Sequence, residues 1–434
     1  MHMIQIIEKK RDGQTLSREE IFDLVEEYTQ GNIPDYQMSA FLMAVYLNGM
    51  TKEETFSLTE AMVLSGDQLD LSEIHGFKID KHSTGGVGDK TTLILGPMVS
   101  ACQVPVAKMS GRGLGFTGGT IDKLEAIPGF QTSKTEKQFI KQVNEIGYAL
   151  SGQTGHLAPA DKKIYALRDV TGTVSSLPLI ASSIMSKKIA SGADGIVLDV
   201  KVGNGAFMKT MKEAKELAGI MIEIGRNAGK RMAAVVSDMS QPLGYAIGNS
   251  LEVMEAVEVL KGRGPADVRE LCLSLGSQML VLADRVEGVG QGKTLLKDAL
   301  DSGKALKQFE KFVVAQGGDP AFIQDYSKLP TAKYSLEILA MESGYVAGFA
   351  CENIGKSLCL LGGGRMEKGE KIDPAVGIVL EKKVGDTIER GETLARVYGN
   401  NLEKLAEAEK LIKQSILCCD KDVKKGKLVL KKIL

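Results

Sequence analysis

Lys78-Ile79-Asp80-Lys81-His82-Ser83-Thr84-Gly85-Gly86-Val87-Gly88-Asp89-Lys90-Thr91 sets a short strand, a glycine-rich turn and a helix start in direct succession. The strand ends at Lys78-Ile79-Asp80, the turn is Gly85-Gly86-Val87-Gly88, and Asp89 can cap the helix that begins near Lys90. Glycine reaches positive φ and lets an oxyanion approach the main chain without a Cβ in the way. Thr92 falls in the first helical turn, where its hydroxyl and the free amides can hold an anion together. A second stretch repeats this composition: Lys108-Met109-Ser110-Gly111-Arg112-Gly113-Leu114-Gly115-Phe116-Thr117-Gly118-Gly119-Thr120. It follows the apolar run Val104-Pro105-Val106-Ala107 and leads into another short helix. Two such units predict a phosphate site built from helix N-termini, with Lys81, Ser83, Thr92, Ser110 and Thr120 as donors.

Further runs of the same kind are Gly195-Ile196-Val197-Leu198-Asp199-Val200 and Met232-Ala233-Ala234-Val235-Val236-Ser237. Continuously apolar strands separated by helices indicate a largely parallel sheet covered on both faces. The first 66 residues read as purely helical. Ser17 and Glu20 make a capping box before a helix ending near Gly31, Asp35 can cap the next helix, and Thr51 with Glu54 opens a third that stops at Gly66. Ala160–Arg168 and Leu179–Ser191 are helices without strands of their own and can pack on that N-terminal set. The expected fold is therefore α/β: a small discontinuous all-α domain (1–66 plus 160–191) and a large mixed α/β domain with a central sheet (77–151 plus 194–330). A C-terminal α+β part (331–434) resembles the biotinyl/lipoyl hammerhead. That part lacks a modifiable lysine in the carrier pattern; Lys368 is the nearest. The crossing links near 67–76, 151–159 and 190–194 can act as hinges.

The chain has 434 residues, 43% of them apolar and 25% charged, with a formal net charge of −1. No global field attracts nucleic acid, and the absence of tryptophan argues against base-stacking platforms. The charged start and the lack of an apolar run of ~20 residues predict neither a signal peptide nor a membrane span, so the chain reads as cytoplasmic. Six scattered cysteines read as reduced, and four histidines without grouped ligands give no zinc site. Gly113-Leu114-Gly115-Phe116-Thr117-Gly118 matches a dinucleotide fingerprint, but the next segment is a proline-broken helix instead of a strand ending in Asp or Glu. Gly88-Asp89-Lys90-Thr91 and Gly288-Val289-Gly290-Gln291-Gly292-Lys293-Thr294 lack the spacing of a P-loop.

Ser183 and Lys187 stand four apart on one helical face, and Arg168 follows another helix. Such a set can read a planar ligand with carbonyl oxygens and an N–H; the plainer alternative is a solvated charged face at Lys187-Lys188.

The two glycine-rich stretches, Ile121-Asp122-Lys123-Leu124-Glu125, and Ala181-Ser182-Ser183-Ile184-Met185-Ser186-Lys187-Lys188 resemble the signature of the thymidine and pyrimidine-nucleoside phosphorylases. The resemblance spans essentially the whole chain and is greatest to the broad-specificity pyrimidine-nucleoside branch. It implies a homodimer whose two domains close over a cleft, acting on a pyrimidine nucleoside and inorganic phosphate. It assigns Lys81, Ser83, Thr92, Lys108, Ser110 and Thr120 to phosphate, and His82, Arg168, Ser183 and Lys187 to the pyrimidine. No cofactor is implied for catalysis. A structural potassium-like site is implied at Gly88, Leu243, Ala246 and Glu255. Two positions depart from the family pattern: Phe116 stands where histidine is usual, and Lys90 where threonine is usual, setting an ammonium beside the expected cation.

The reaction so implied is reversible phosphorolysis of uridine, thymidine or deoxyuridine, with His82 hydrogen-bonding or protonating the base carbonyl. Alternatives are a thymidine-specific phosphorylase, a phosphoribosyltransferase of the anthranilate type, and an inactive nucleoside-binding protein.

Overall fold

Apolar strands and amphipathic helices alternate through the middle of the chain and build a six-stranded sheet. The computed structural model describes residues 2–113, 118–152, 155–365 and 369–434. Five strands are parallel: β1 (Ile79–Ser83), β2 (Val106–Ser110), β3 (Tyr148–Gly152), β4 (Gly195–Val202) and β5 (Arg231–Asp238). Their order is β5-β4-β1-β2-β3, and Val429–Ile433 adds an antiparallel strand beside β5. From β1 the chain moves towards β2, whereas from β4 it moves towards β5. Adjacent strands with opposed connections leave a crevice at their carboxyl ends, the usual ligand position in open α/β sheets. The Gly85–Gly88 turn lies at that point.

β4 is buried throughout, and its side chains alternate between two cores. Val197 packs with the helices α5 (Thr91–Ala101), α11 (Asn249–Leu260) and α12 (Ala266–Leu282), while Ile196, Leu198 and Val200 pack with α9 (Leu177–Ala190) and α10 (Met211–Asn227). This two-sided cover explains the unbroken apolar runs.

The helical domain has four N-terminal helices: α1 (Met3–Arg11), α2 (Arg18–Gln30), α3 (Asp35–Asn48) and α4 (Lys52–Leu64). Their core also takes Ala160 and Ile164 of α8 (Pro159–Thr171) and Leu179 of α9. Both capping boxes form, at Ser17/Glu20 and Thr51/Glu54. Two details differ from the sequence reading. α1 is an additional helix, pinned by buried Lys10, whose ammonium lies 2.9 Å from Glu54. Asp35 is inside its helix instead of capping it; Pro34 precedes the helix and Asp35 accepts the Tyr28 hydroxyl at 3.0 Å.

The crossing links run side by side. Asp67 pairs with Leu157, its amide donates to the His156 carbonyl at 2.9 Å, and the Leu69 amide donates to the Ala190 carbonyl at 2.9 Å. The C-terminal part holds Gly344–Phe349, Gly377–Leu380 and Thr393–Gly399 as strands around a second core that also takes Val87 and Ile247 of the large domain. It joins the large domain by strand pairing, Gly377–Leu380 lying beside Ala246–Ile247.

Candidate active site

β1 runs on to Ser83, three residues beyond the end read from sequence, so Lys81, His82 and Ser83 belong to a rigid strand. Period-two alternation turns Lys81 and Ser83 to one face and His82 to the other. Lys81 is buried and donates to the Thr91 hydroxyl at 2.6 Å, with Asp89 and Asp199 at 3.8 and 3.7 Å. Ser83 donates to Asp89 at 2.5 Å, and the Thr91 amide and hydroxyl donate to the other Asp89 oxygen at 3.1 and 2.6 Å. Burial opposes the Asp89 charge, but Lys201 and Lys81 outweigh it and hold this carboxyl well below the usual range. Asp89 thus clamps the glycine turn to the start of α5. Thr92 lies in the same turn of α5, Ser110 ends β2, and Thr120 begins the helix Thr120–Leu124. Among the described residues nothing hydrogen-bonds to the hydroxyls of these three, which leaves them as donors for an anion. Lys108 is turned beneath the turn: it donates to the Lys81 carbonyl at 2.6 Å and lies 3.2 Å from Asp80. It therefore acts first as a support for β1.

Asp80 is fully buried between two lysines, accepting from Lys188 of α9 at 2.7 Å on its second oxygen. Burial works against this carboxylate, and the Lys108 and Lys188 charges keep it ionised. The Asp80–Lys188 pair fastens the helical segment α9 directly to β1. Lys187, the next residue, donates to the Asp161 carboxylate and lies 3.0 Å from the Ser183 hydroxyl. Neither lysine is part of a solvated face. Arg168 is buried and gives its guanidinium to three carbonyls that shape the link between α8 and α9: Val174 at 2.7 Å, Leu179 at 3.0 Å and Thr173 at 3.4 Å. Those bonds use three of its five N–H groups. His82 is part-buried. Its pKa is driven well below the ordinary histidine value by burial, then by Lys188, Lys108, Lys81 and Lys187. Lysines from both domains thus act on one imidazole, which is neutral near pH 7.

Residues 4–66 match the helical bundle domain of a glycosyl transferase family, and residues 75–306 match its a/b domain. Residues 345–418 match the pyrimidine nucleoside phosphorylase C-terminal domain. A pyrimidine-nucleoside phosphorylase of Geobacillus stearothermophilus is 55% identical over 433 residues, covering 100% of both chains. The chain belongs to the pyrimidine-nucleoside phosphorylase family. A second member, from Staphylococcus aureus strain RF122, is 56% identical over 420 residues, or 97% of each chain. The fold extends beyond the family. Anthranilate phosphoribosyltransferase of Thermus thermophilus superposes with a TM-score of 0.59 at 19% identity, over 72% of this chain and 99% of that one.

The potassium-like site implied for this family does not fit the residues present. The carbonyls of Leu243 and Ala246 accept from the Lys90 ammonium at 3.0 and 2.8 Å, and Glu255 accepts from it as well. Gly88 packs against the same point: at φ +79°, a Cβ on it would stand 2.5 Å from the Leu243 oxygen. The expected ligand atoms converge, but upon a side chain. Phe116 lies outside the described residues, as does Lys368. Sequence reasoning missed Asp80, Asp161, Lys188, Asp199 and Lys201. A signal existed for three of them, since Asp80, Asp199 and Lys201 interrupt otherwise apolar strands, where a charge must be paired.

Proposed function

We propose that this chain catalyses reversible phosphorolysis of pyrimidine nucleosides, taking uridine, thymidine and deoxyuridine to the free base and the (deoxy)ribose 1-phosphate. What supports this reading is a set of hydroxyls left free among the described residues, on Thr92, Ser110 and Thr120 at the strand and helix ends near the sheet's switch point, together with His82, whose imidazole feels Lys81 and Lys108 of the large domain and Lys187 and Lys188 of α9. Phosphate lies on the large domain between Lys81, Ser83, Thr92, Ser110 and Thr120, and the base lies on the helical domain.

A phosphate oxygen forms a bond to C1′ while the bond from C1′ to the base nitrogen breaks, and the electron pair of that bond stays with the base. The loop holds the nucleophile in line, a positional contribution. Lys187 and the two remaining N–H groups of Arg168 stabilise the developing base anion, aided by the Ser183 hydroxyl. A neutral His82 donates a hydrogen bond to the base carbonyl; the proton that neutralises the departing base comes from solvent or from phosphate. Lys108, Asp80 and Lys188 are positioning residues that set β1 against α9.

The working form is taken as a cytoplasmic homodimer. An exposed apolar stripe on α3, made by Tyr36, Met43, Tyr46 and Leu47, supports association with a second copy. Among the described residues no helix is long and apolar enough to cross a membrane. Product analysis with uridine, thymidine and deoxyuridine, with and without phosphate, tests the reaction. Base release that persists unchanged without phosphate, or that requires Mg²⁺ and pyrophosphate as in a phosphoribosyl transfer, refutes it.

A further inference from the structure

Lys90 occupies an unusual position for a lysine. It directly follows the phosphate loop, is fully buried, and carries its ammonium into a pocket of oxygens from a distant segment. Two of those oxygens are main-chain carbonyls, Leu243 and Ala246, and the third is the Glu255 carboxylate. Carbonyls and a carboxylate aimed at one point are the donor set of a hard cation. The other Glu255 oxygen accepts the amides of Tyr245 and Ala246 at 2.9 and 3.1 Å, so the carboxylate also fixes the segment that supplies the carbonyls.

The surrounding charges already balance. Glu255 is paired with Lys90, Glu252 with Lys123 at 3.2 Å, and Asp267 with Lys383 at 3.1 Å. Lys383 also serves the alternate carbonyls of the same segment, Pro242 and Gly244, the latter at 2.9 Å. An inorganic cation added here would be a fourth positive charge beside three carboxylates, in a buried site where uncompensated charge is costly. Burial disfavours the Lys90 charge, but Glu255 and Glu252 more than offset it, and its pKa is raised.

We propose that Lys90 is a built-in monovalent cation. Its ammonium does permanently what a bound ion would do, gathering the 243–246 segment onto the start of α5, so that this chain is indifferent to K⁺. The segment matters because Ala246–Ile247 also pairs with the C-terminal part, and Asp89, adjoining Lys90, clamps the phosphate loop.

The test compares purified full-length wild type with Lys90→Thr in KCl and in choline chloride at equal ionic strength, reading thermal melting and uridine phosphorolysis. Wild type is expected to melt at the same temperature and turn over at the same rate in both salts. Lys90→Thr is expected to melt lower by roughly 5 °C or more in choline and to recover in KCl. Wild-type melting that rises saturably with K⁺ overturns the proposal, and so does a folded Lys90→Thr protein that gains nothing from K⁺. If Lys90→Thr does not fold, thallium-205 NMR of wild type decides: no saturable Tl⁺ binding is expected, and Tl⁺ binding displaced by K⁺ overturns the proposal. Phosphorolysis can fail in both proteins without touching the melting and thallium results, so the two readings stay separable.

Discussion

Replacing Lys187 with methionine separates two roles that share one ammonium. Lys187 is about a quarter exposed, and the Asp161 side chain beneath it is 4% exposed. Asp161 has one oxygen on Lys187 and the other without a hydrogen-bond partner among the described residues. Lys187→Met therefore strands a buried carboxylate, a loss of about 3–5 kcal/mol of stability by analogy with other broken buried pairs. The same change removes a charged donor from the leaving base. Loss of one such preorganised donor costs about 2.7–4 kcal/mol, or ~10²–10³ in kcat. Adding Asp161→Asn removes the stranded charge and keeps the side-chain shape. Most of the lost stability is then expected to return, while kcat stays ~10²–10³ below wild type. Urea unfolding gives the first quantity, and ultraviolet monitoring of uridine phosphorolysis at saturating phosphate gives the second. A stable double variant with wild-type kcat refutes the reasoning, because the ammonium would then serve only to neutralise Asp161.

Thr120→Val is expected to raise the KM for phosphate by about tenfold or more, the value of one hydrogen bond to a charged group, with the KM for uridine unchanged in steady-state assays. Asp80→Asn leaves Lys108 and Lys188 facing each other without a counter-charge, and should lower stability by about 3–5 kcal/mol in urea titrations. His82→Gln is read through pH. The folded pKa of His82 is depressed, so its contribution to stability is complete above the unfolded value near 6.5 and is lost as pH falls through the folded value. Wild-type stability should thus decline more steeply than that of His82→Gln between about pH 6.5 and 5 in denaturant titrations; equal slopes would contradict an imidazole held neutral by the fold.

Much of the fold was legible because its signals are local. The capping boxes at Ser17 and Thr51 form as read, and β4 and β5 extend the expected apolar runs by one or two residues at their ends. β1 was cut short because Lys81, His82 and Ser83 are polar, yet the sheet buries Lys81 by pairing it with charges far away in sequence. β3 and the C-terminal strand carry no strand reading in the sequence: Tyr148–Gly152 follows directly on the helix Glu136–Ile146, and Val429–Ile433 carries two lysines that remain exposed. The candidate site was legible as residue types, through the glycine turns and the Ser183/Lys187 spacing. Its electrostatics were not. Which carboxylate meets which lysine depends on contacts such as Asp80–Lys188, which join residues 108 positions apart. Lys90 shows the same limit, since sequence set an ammonium beside an expected ion, whereas folding delivers that ammonium into the oxygens themselves.

The division of labour between the domains is tested most directly by a crystal structure with phosphate and a non-hydrolysable uridine analogue bound together. Density for the tetrahedral anion is expected at the hydroxyls of Ser83, Thr92, Ser110 and Thr120, with the pyrimidine carbonyls and N–H met by Arg168, Ser183 and Lys187. A base seated on the glycine turns, or an anion held by Arg168 and Lys187, would contradict the account.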